Sequence, residues 1–324
     1  MIDDEIVLVA GELRPLCGDE PGWPGGRRTR FVTREEPLPE EGGAVALVPL
    51  LSREIGPEQL DRLPSLRIVA NYAVGHDNVD LRAAEERRVV VTNTPDVLTE
   101  ATAEATWALI LAAARRLREG LELAASGAWE GWRPDQLLGL GLEGRTLGIL
   151  GAGRIGSAVA RRATGFGMGV VYWSRSRNQA LEEEIGARRA AGLGEALELA
   201  HVVSVHLPLT EETEGVIGAD ELARMPEGSV LVNTARGGLV DHDALADALA
   251  SGPPAAAGLD VYPDEPEIPE RIRRRDDCFV LPHMGSATRR ARRRMWELAA
   301  ENVRSVLSGG RPVTPVAGRA ATAG

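Results

Sequence analysis

Apolar positions along this chain fall into short runs spaced by helix-sized polar stretches. The runs Ile6–Ala10, Ala44–Val48, 67–71 and 89–92 are rich in Val, Ile and Leu and predict buried strands. The intervals between them have the length and composition of helices or turns, which is the rhythm of a parallel α/β layer. Residues 99–125 follow, with Ala, Leu, Glu and Arg throughout, no Pro and no Gly before Gly120. This stretch predicts one long helix, long enough to bridge two domains.

A second series begins at Thr146. Strands are predicted over 146–150, 169–173, 202–205, 229–232 and 255–259, with a glycine turn and helix after the first, a doubly wound pattern. Residues 289–307 carry apolar side chains at helical spacing, and with 311–316 they come after this series and are expected to return to the first domain. The small-residue tail 317–324 is expected to fray. At 324 residues the chain exceeds one ordinary domain, so two domains with a cleft are expected.

Composition narrows the chemistry. The net charge of −11 favours solubility and argues against a nucleic-acid surface. The cluster Arg289, Arg290, Arg292, Arg293 and Arg294 lies on the predicted last helix and reads as a solvated or subunit-facing surface. All 37 basic residues are arginine, which excludes Schiff-base chemistry through a lysine amine. Cys17 and Cys278 lack the spacing of a metal or redox motif, so no metal is expected. The first residues are acidic, and no apolar run approaches the ~18 residues of a membrane span. A cytoplasmic protein without a membrane partner is expected.

Gly151-Ala152-Gly153-Arg154-Ile155-Gly156 fits GxGxxG, follows an apolar strand and opens a segment with helical spacing at Ile155, Val159 and Ala163. In that context Gly151 permits the tight turn, Gly153 a close approach of pyrophosphate and Gly156 helix-to-strand packing, which points to a dinucleotide. The next strand ends eighteen residues past Gly156 at Ser174-Arg175-Ser176-Arg177, where an NAD site normally has a carboxylate. Hydroxyls and guanidinium groups suit a 2′-phosphate better than a ribose diol, so NADP(H) is the expected cofactor, with NAD(H) second.

Three strand ends in the same half carry matching chemistry. His283, after an apolar run ending at Pro282, suits a proton donor to a forming alkoxide. Glu265 is a candidate to orient that imidazole, with Asp264 as its rival. Arg236, just past the strand at 229–232, can hold a carboxylate through two bonds and polarise the adjacent carbonyl.

With these residues in place, the chain resembles the D-isomer-specific 2-hydroxyacid dehydrogenase family over nearly its whole length. The resemblance is carried by residues 71–80, 92–100, the glycine fingerprint, His206-Leu207-Pro208-Leu209-Thr210, the Arg236 loop, 258–266 and 282–288. It implies an α/β fold of two Rossmann-like, doubly wound parallel-sheet domains. A cofactor domain over 99–286 is inserted into a discontinuous substrate domain of 1–98 and 287–324, and a homodimer forms through the inserted domain. By the same resemblance Arg236 binds substrate carboxylate and carbonyl, His283 is the acid/base and Glu265 its partner. Val74 and Gly75 offer backbone N–H groups to the carboxylate. Thr102, the glycine fingerprint with Arg154 and Ile155, Ser174, Arg175, Ser176, His206, Pro208, Thr234, Asp260 and Gly285 surround the cofactor, with Asp260 toward its carboxamide.

Within the family, residues 71–80, 92–100 and 174–177 are most similar to glyoxylate/hydroxypyruvate reductases, so the expected substrates are small 2-oxo and 2-hydroxy acids. 2-Ketogluconate and other D-2-hydroxy acids are the enzymatic alternatives, and a nucleotide-sensing, corepressor-like binding protein is the alternative of another class. The Pro- and Gly-rich stretch 17–30 departs from the family pattern and either shapes the entrance or loops outward.

Overall fold

The computed structural model describes residues 5–316 apart from Glu20, Glu35 and Glu41. The tail 317–324, expected to fray, lies outside the described residues. The chain divides into two compact units, Met1–Leu98 with Ala287–Gly324, and Thr99–Ser286.

In the first unit, β1 (Ile6–Ala10), β2 (Arg28–Val32), β3 (Ala44–Val48), β4 (Ile68–Ala70) and β5 (Val90–Thr92) pair in the order β2-β1-β3-β4-β5, all parallel. This is the 2-1-3-4-5 order of one doubly wound class. β1 and β3 are buried along their whole length, which is why they read as unbroken apolar runs. β2 escaped the pattern because Arg28 and Arg30 are exposed on an edge strand, where charge blocks unwanted pairing.

The stretch before β2 does not loop outward. Trp23 is buried and meets the edge of Trp296 with ring centroids 6.1 Å apart, its indole N–H donates to Thr29 Oγ1 at 2.9 Å, and Arg304 donates to the Pro21 carbonyl at 2.8 Å. Trp296 and Arg304 belong to the helix Arg289–Leu307, which is capped by Thr288 and packs on β3 and β4. The arginine cluster on its first turns is largely exposed, with Arg293 and Arg294 both donating to Glu297. Beyond the helix, Val316 N–H donates to the Val91 carbonyl and Asn302 binds the backbone N–H groups of Val313 and Thr314, so 311–316 runs beside β5.

The second unit holds β6 (Thr146–Leu150), β7 (Gly169–Trp173), β8 (Arg188–Arg189), β9 (Val202–Val205), β10 (Val230–Asn233), β11 (Ala256–Leu259) and β12 (Cys278–Val280). They pair in parallel in the order β12-β11-β10-β9-β6-β7-β8. The winding direction reverses between β6 and β9. In open α/β sheets that switch point is where ligands bind, beyond the carboxyl ends of the strands.

The single long helix expected over 99–125 is instead two, Thr99–Ala114 and Leu117–Ser126. Arg116 between them takes a left-handed backbone, φ 53°, and its guanidinium donates twice to Glu119 at 2.7 and 2.6 Å. A distant segment ends the first helix: Leu140 N–H donates to the Ala114 carbonyl at 2.8 Å, and a Cβ at Gly139 would sit 2.2 Å from that oxygen. The first helix packs on β10 and β11 and buries Trp107, Leu109 and Ile110, each contributing about 2–3 kcal/mol through apolar burial.

Candidate active site

The glycine turn follows β6 directly. Gly151 has φ 101°, and a Cβ there would lie 2.6 Å from the His206 carbonyl, so only glycine fits where β6 and β9 end side by side. A Cβ on Gly156 would meet the Gly151 carbonyl at 2.1 Å, which forces the helix Arg154–Ala163 close to the turn. Gly153 differs: nothing lies within 4 Å of its Cβ position, and no side chain caps the helix it opens. That open cradle above unspent helix N–H groups fits a pyrophosphate. Arg154 is exposed and Ile155 packs into the core below. His206 is held neutral, its imidazole driven down to about 3 by burial, with Nε2 at 2.8 Å from Ser204 Oγ. Pro208 is exposed just beyond it, and its carbonyl accepts from Thr213.

At the end of β7 stand Ser174, Arg175 and Ser176, with Arg175 and Ser176 exposed. Arg189 donates to the Ser174 and Arg175 carbonyls at 3.0 and 3.1 Å. Arg177 is engaged elsewhere, donating to Glu182 Oε2 at 2.8 and 2.6 Å.

Arg236, Glu265 and His283 come from the ends of β10, β11 and β12. His283 Nδ1 lies 2.6 Å from Glu265 Oε2, while Glu265 Oε1 accepts the Tyr262 N–H at 3.1 Å. Asp264, the rival acid, is exposed. Burial raises the Glu265 pKa, but bonding to His283, its charge, the Tyr262 N–H and the charge of Arg236 outweigh that and hold the carboxyl below its ordinary value. An ionised Glu265 makes Nδ1 the donor and leaves Nε2 for proton exchange. The two side chains are 26% and 27% exposed.

His283 itself has φ 52° and is followed by a turn held from below. Buried Asp260 accepts from Met284 N–H and Gly285 N–H, both at 2.7 Å. Desolvation raises its pKa, against those two bonds and the charge of His283. Thr102 packs against Gly285, Thr106 donates to the Thr102 carbonyl, and Thr106 and Thr234 hydroxyls meet at 2.8 Å. Thr102, Thr234, Asp260 and Gly285 thus form one connected set around the His283 turn. Of the remaining histidines in this unit, His201 accepts from Thr146 N–H at the opposite end of the strands, and His242 is buried. Among the described residues no group of His, Cys, Asp and Glu could hold a metal ion.

Val74 and Gly75 lie in the other unit. Asn93 and Asn71 fix their carbonyls at 2.7 and 2.9 Å, and neither N–H meets an acceptor among the described residues.

A family model for the D-isomer specific 2-hydroxyacid dehydrogenase NAD-binding domain matches residues 107–285. The chain belongs to the D-isomer specific 2-hydroxyacid dehydrogenase family. Glyoxylate reductase of Thermococcus kodakarensis is 46% identical over 298 residues, 91% of this chain and 88% of that protein. A crystal structure of a protein from Thermus thermophilus superposes with TM-score 0.86 at 43% identity, covering 96% of this chain and 99% of that one. The NADPH-dependent glyoxylate/hydroxypyruvate reductase of Sinorhizobium meliloti, solved with NADP and malonate, gives 0.87 at 34% identity over 97% of each chain.

As a D-2-hydroxyacid dehydrogenase the protein is an oxidoreductase with a nicotinamide-binding Rossmann domain. Three residues of that domain went unnoticed in the sequence. Asn233, fully buried, accepts from Ala235 N–H and donates to the Arg236 carbonyl at 2.8 Å. Tyr262 donates to the Leu281 carbonyl, two residues before His283, and its backbone leaves no room for a Cβ on Gly237, the residue after Arg236. Asn178 bonds to the glycine turn. Each acts through backbone hydrogen bonds, for which sequence spacing carries no signal.

Proposed function

We propose that this dehydrogenase reduces glyoxylate and hydroxypyruvate, preferring NADPH, with His283 as proton donor. The observation that carries the reading is the 2.6 Å His283–Glu265 pair on strand ends beside that of Arg236. A nicotinamide cofactor held at the glycine turn, residues 151–156, would supply the hydride that the reduction needs. Arg236, its loop fixed by Asn233, holds the substrate carboxylate and polarises the carbonyl. Protonated His283 delivers its Nε2 proton to the carbonyl oxygen, and Glu265 stabilises the imidazolium beforehand. Asp260 keeps the His283 turn in register through its two N–H bonds. In the other unit, the uncommitted N–H groups of Val74 and Gly75 are suited to a carboxylate, which supports the substrate-binding role for Met1–Leu98 with Ala287–Gly324.

NADPH is favoured by the absence of a carboxylate at Ser174–Arg175–Ser176 and by the exposed guanidinium of Arg175. The glyoxylate assignment draws on the named relatives. Homodimerisation through the Thr99–Ser286 unit is supported by Leu117, Leu121, Trp129, Trp132 and Leu138, all exposed within one short stretch. Beside it lies a cavity of about 490 Å³ lined by Leu138, Leu140, Arg118, Asp277 and Phe279, at the amino ends of β10 to β12. Two cysteines without a motif, and no described helix long and apolar enough to cross a membrane, fit a cytoplasmic enzyme.

The test is the initial rate of NADPH and NADH oxidation with glyoxylate, hydroxypyruvate, pyruvate and 2-ketogluconate. Fast NADPH-linked turnover of the first two supports the reading. Faster turnover of 2-ketogluconate reassigns the substrate, and an NADH preference overturns the cofactor assignment.

A further inference from the structure

The loop that ends β7 is bonded to the glycine turn through one side chain. Asn178 caps the short helix Gln179–Ile185, its Oδ1 accepting Leu181 N–H at 3.0 Å. That bond fixes the amide orientation, so both Nδ2 protons point the other way, to the Ala152 carbonyl at 2.9 Å and Ser157 Oγ at 3.0 Å. Ala152 lies inside the glycine turn and Ser157 in the first turn of the helix it opens. Capping alone needs only an acceptor, which Ser, Thr or Asp supplies equally well. An acceptor and two donors on one short side chain is a combination only a carboxamide provides.

The same loop is restrained from below. Asn178 N–H donates to the buried Tyr172 hydroxyl at 2.9 Å, and that hydroxyl donates to Glu182 Oε1 at 2.5 Å. Glu182 also holds Arg177, and its carboxyl is drawn below the ordinary value by bonding to Arg177 and Tyr172. Arg177 is thereby committed. Arg175 is exposed; its charge acts on Glu212, but among the described residues no carboxylate pairs with it as Glu182 pairs with Arg177, which leaves its guanidinium to the loop's outer face.

We propose that Asn178 is a positioning residue for cofactor choice, locking the Ser174–Arg175–Ser176 backbone to the glycine turn so that Arg175 meets a 2′-phosphate while the turn holds the pyrophosphate. The inference rests on the reading that this loop takes the 2′-phosphate. NADPH, which gains its extra bonds from the loop, depends on the lock; NADH depends on it little. Preorganisation of this kind acts on affinity without adding a contact.

Asn178→Ser keeps the cap and removes both carboxamide donors, so its melting temperature should fall less than that of Asn178→Ala, which loses the cap as well. Fluorescence titration of Asn178→Ser is expected to show an NADPH Kd raised about fivefold, the equivalent of one neutral hydrogen bond, with NADH within about twofold of wild type. An unchanged NADPH Kd, or equal weakening of both cofactors, overturns the inference. Arg175→Ala, measured in parallel, separates the two layers. If Arg175→Ala loses NADPH selectively while Asn178→Ser is silent, only the positioning role fails. If Arg175→Ala affects both cofactors alike, the 2′-phosphate reading fails and this inference falls with it.

Discussion

Asn233→Asp changes one terminal group at a position with no solvent exposure. The acceptor to Ala235 N–H survives, but the donor to the Arg236 carbonyl becomes an oxygen facing an oxygen at the old 2.8 Å contact. Ionised, the new carboxylate loses that hydrogen bond, about 1 kcal/mol, and buries a charge, roughly 2 kcal/mol or more; protonated, its O–H can remake the bond, and holding the proton is then the cost. The ionised case, about 3 kcal/mol, corresponds to a melting point lower by about 6–12 °C for a unit the size of Thr99–Ser286. Because the bond fixes the loop carrying Arg236, kcat/KM for the oxo acid should fall about tenfold or more, with the larger part in KM. Differential scanning calorimetry and steady-state kinetics with varied oxo acid read both effects. A variant melting within about 1 °C of wild type, with unchanged KM, would refute the claim that this side chain holds the Arg236 loop.

Other changes address the proton path and pH. His283→Ala should lower kcat by about 10²-fold or more, the scale of a lost general acid, while NADPH still binds in fluorescence titration; near-normal turnover would remove His283 from the chemistry. Glu265→Gln keeps a bond to Nδ1 but loses the charge, so the rate should drop about 10- to 100-fold in steady-state kinetics. A rate within about twofold of wild type would show that the Glu265 charge does not support the step. His242 has its pKa lowered by burial, against its Val240 carbonyl contact and the nearby Asp241 and Asp243. The unfolded chain therefore binds the proton more readily, and stability is lost as pH falls below about 6.5. Melting curves at pH 7.5 and 5.5 should show a smaller drop for His242→Phe than for wild type, and equal drops would acquit His242.

The strands were legible where burial on both faces makes them continuous apolar runs, as at β1, β3, β6, β7 and β9. β2 and the two-residue β8 were not, because both are edges whose arginines face solvent and leave no apolar signature. The break at Arg116 was equally hidden. Every residue from 99 to 119 suits a helix, and what ends the first one is Gly139 and Leu140 pressing on the Ala114 carbonyl from about 25 positions away. Local propensity does not register a contact of that span.

The site divides along the same line. Arg236, Glu265 and His283 are proposed to act through their own side chains, and the glycine turn is marked by having none, so residue type and spacing pick them out. Asn233, Asp260, Tyr262 and Asn178 instead hold backbone groups: an Arg236 carbonyl, two N–H groups past His283, the Leu281 carbonyl and the Ala152 carbonyl. Asn233 ties the β10 loop to its own strand end, Asp260 and Tyr262 tie the β12 loop to that of β11, and Asn178 ties the loops after β6 and β7, none of them through an interval that marks the contact in the sequence. Asp260 shows the difference most directly. The family resemblance assigns it to the cofactor's carboxamide, yet both of its carboxylate oxygens already accept backbone N–H groups of the His283 turn at 2.7 Å. Each oxygen has a second lone pair, so the two roles are compatible, and a loss of Asp260 should therefore disturb His283 as well as the nicotinamide. A substitution series read only through cofactor affinity would miss half of that effect.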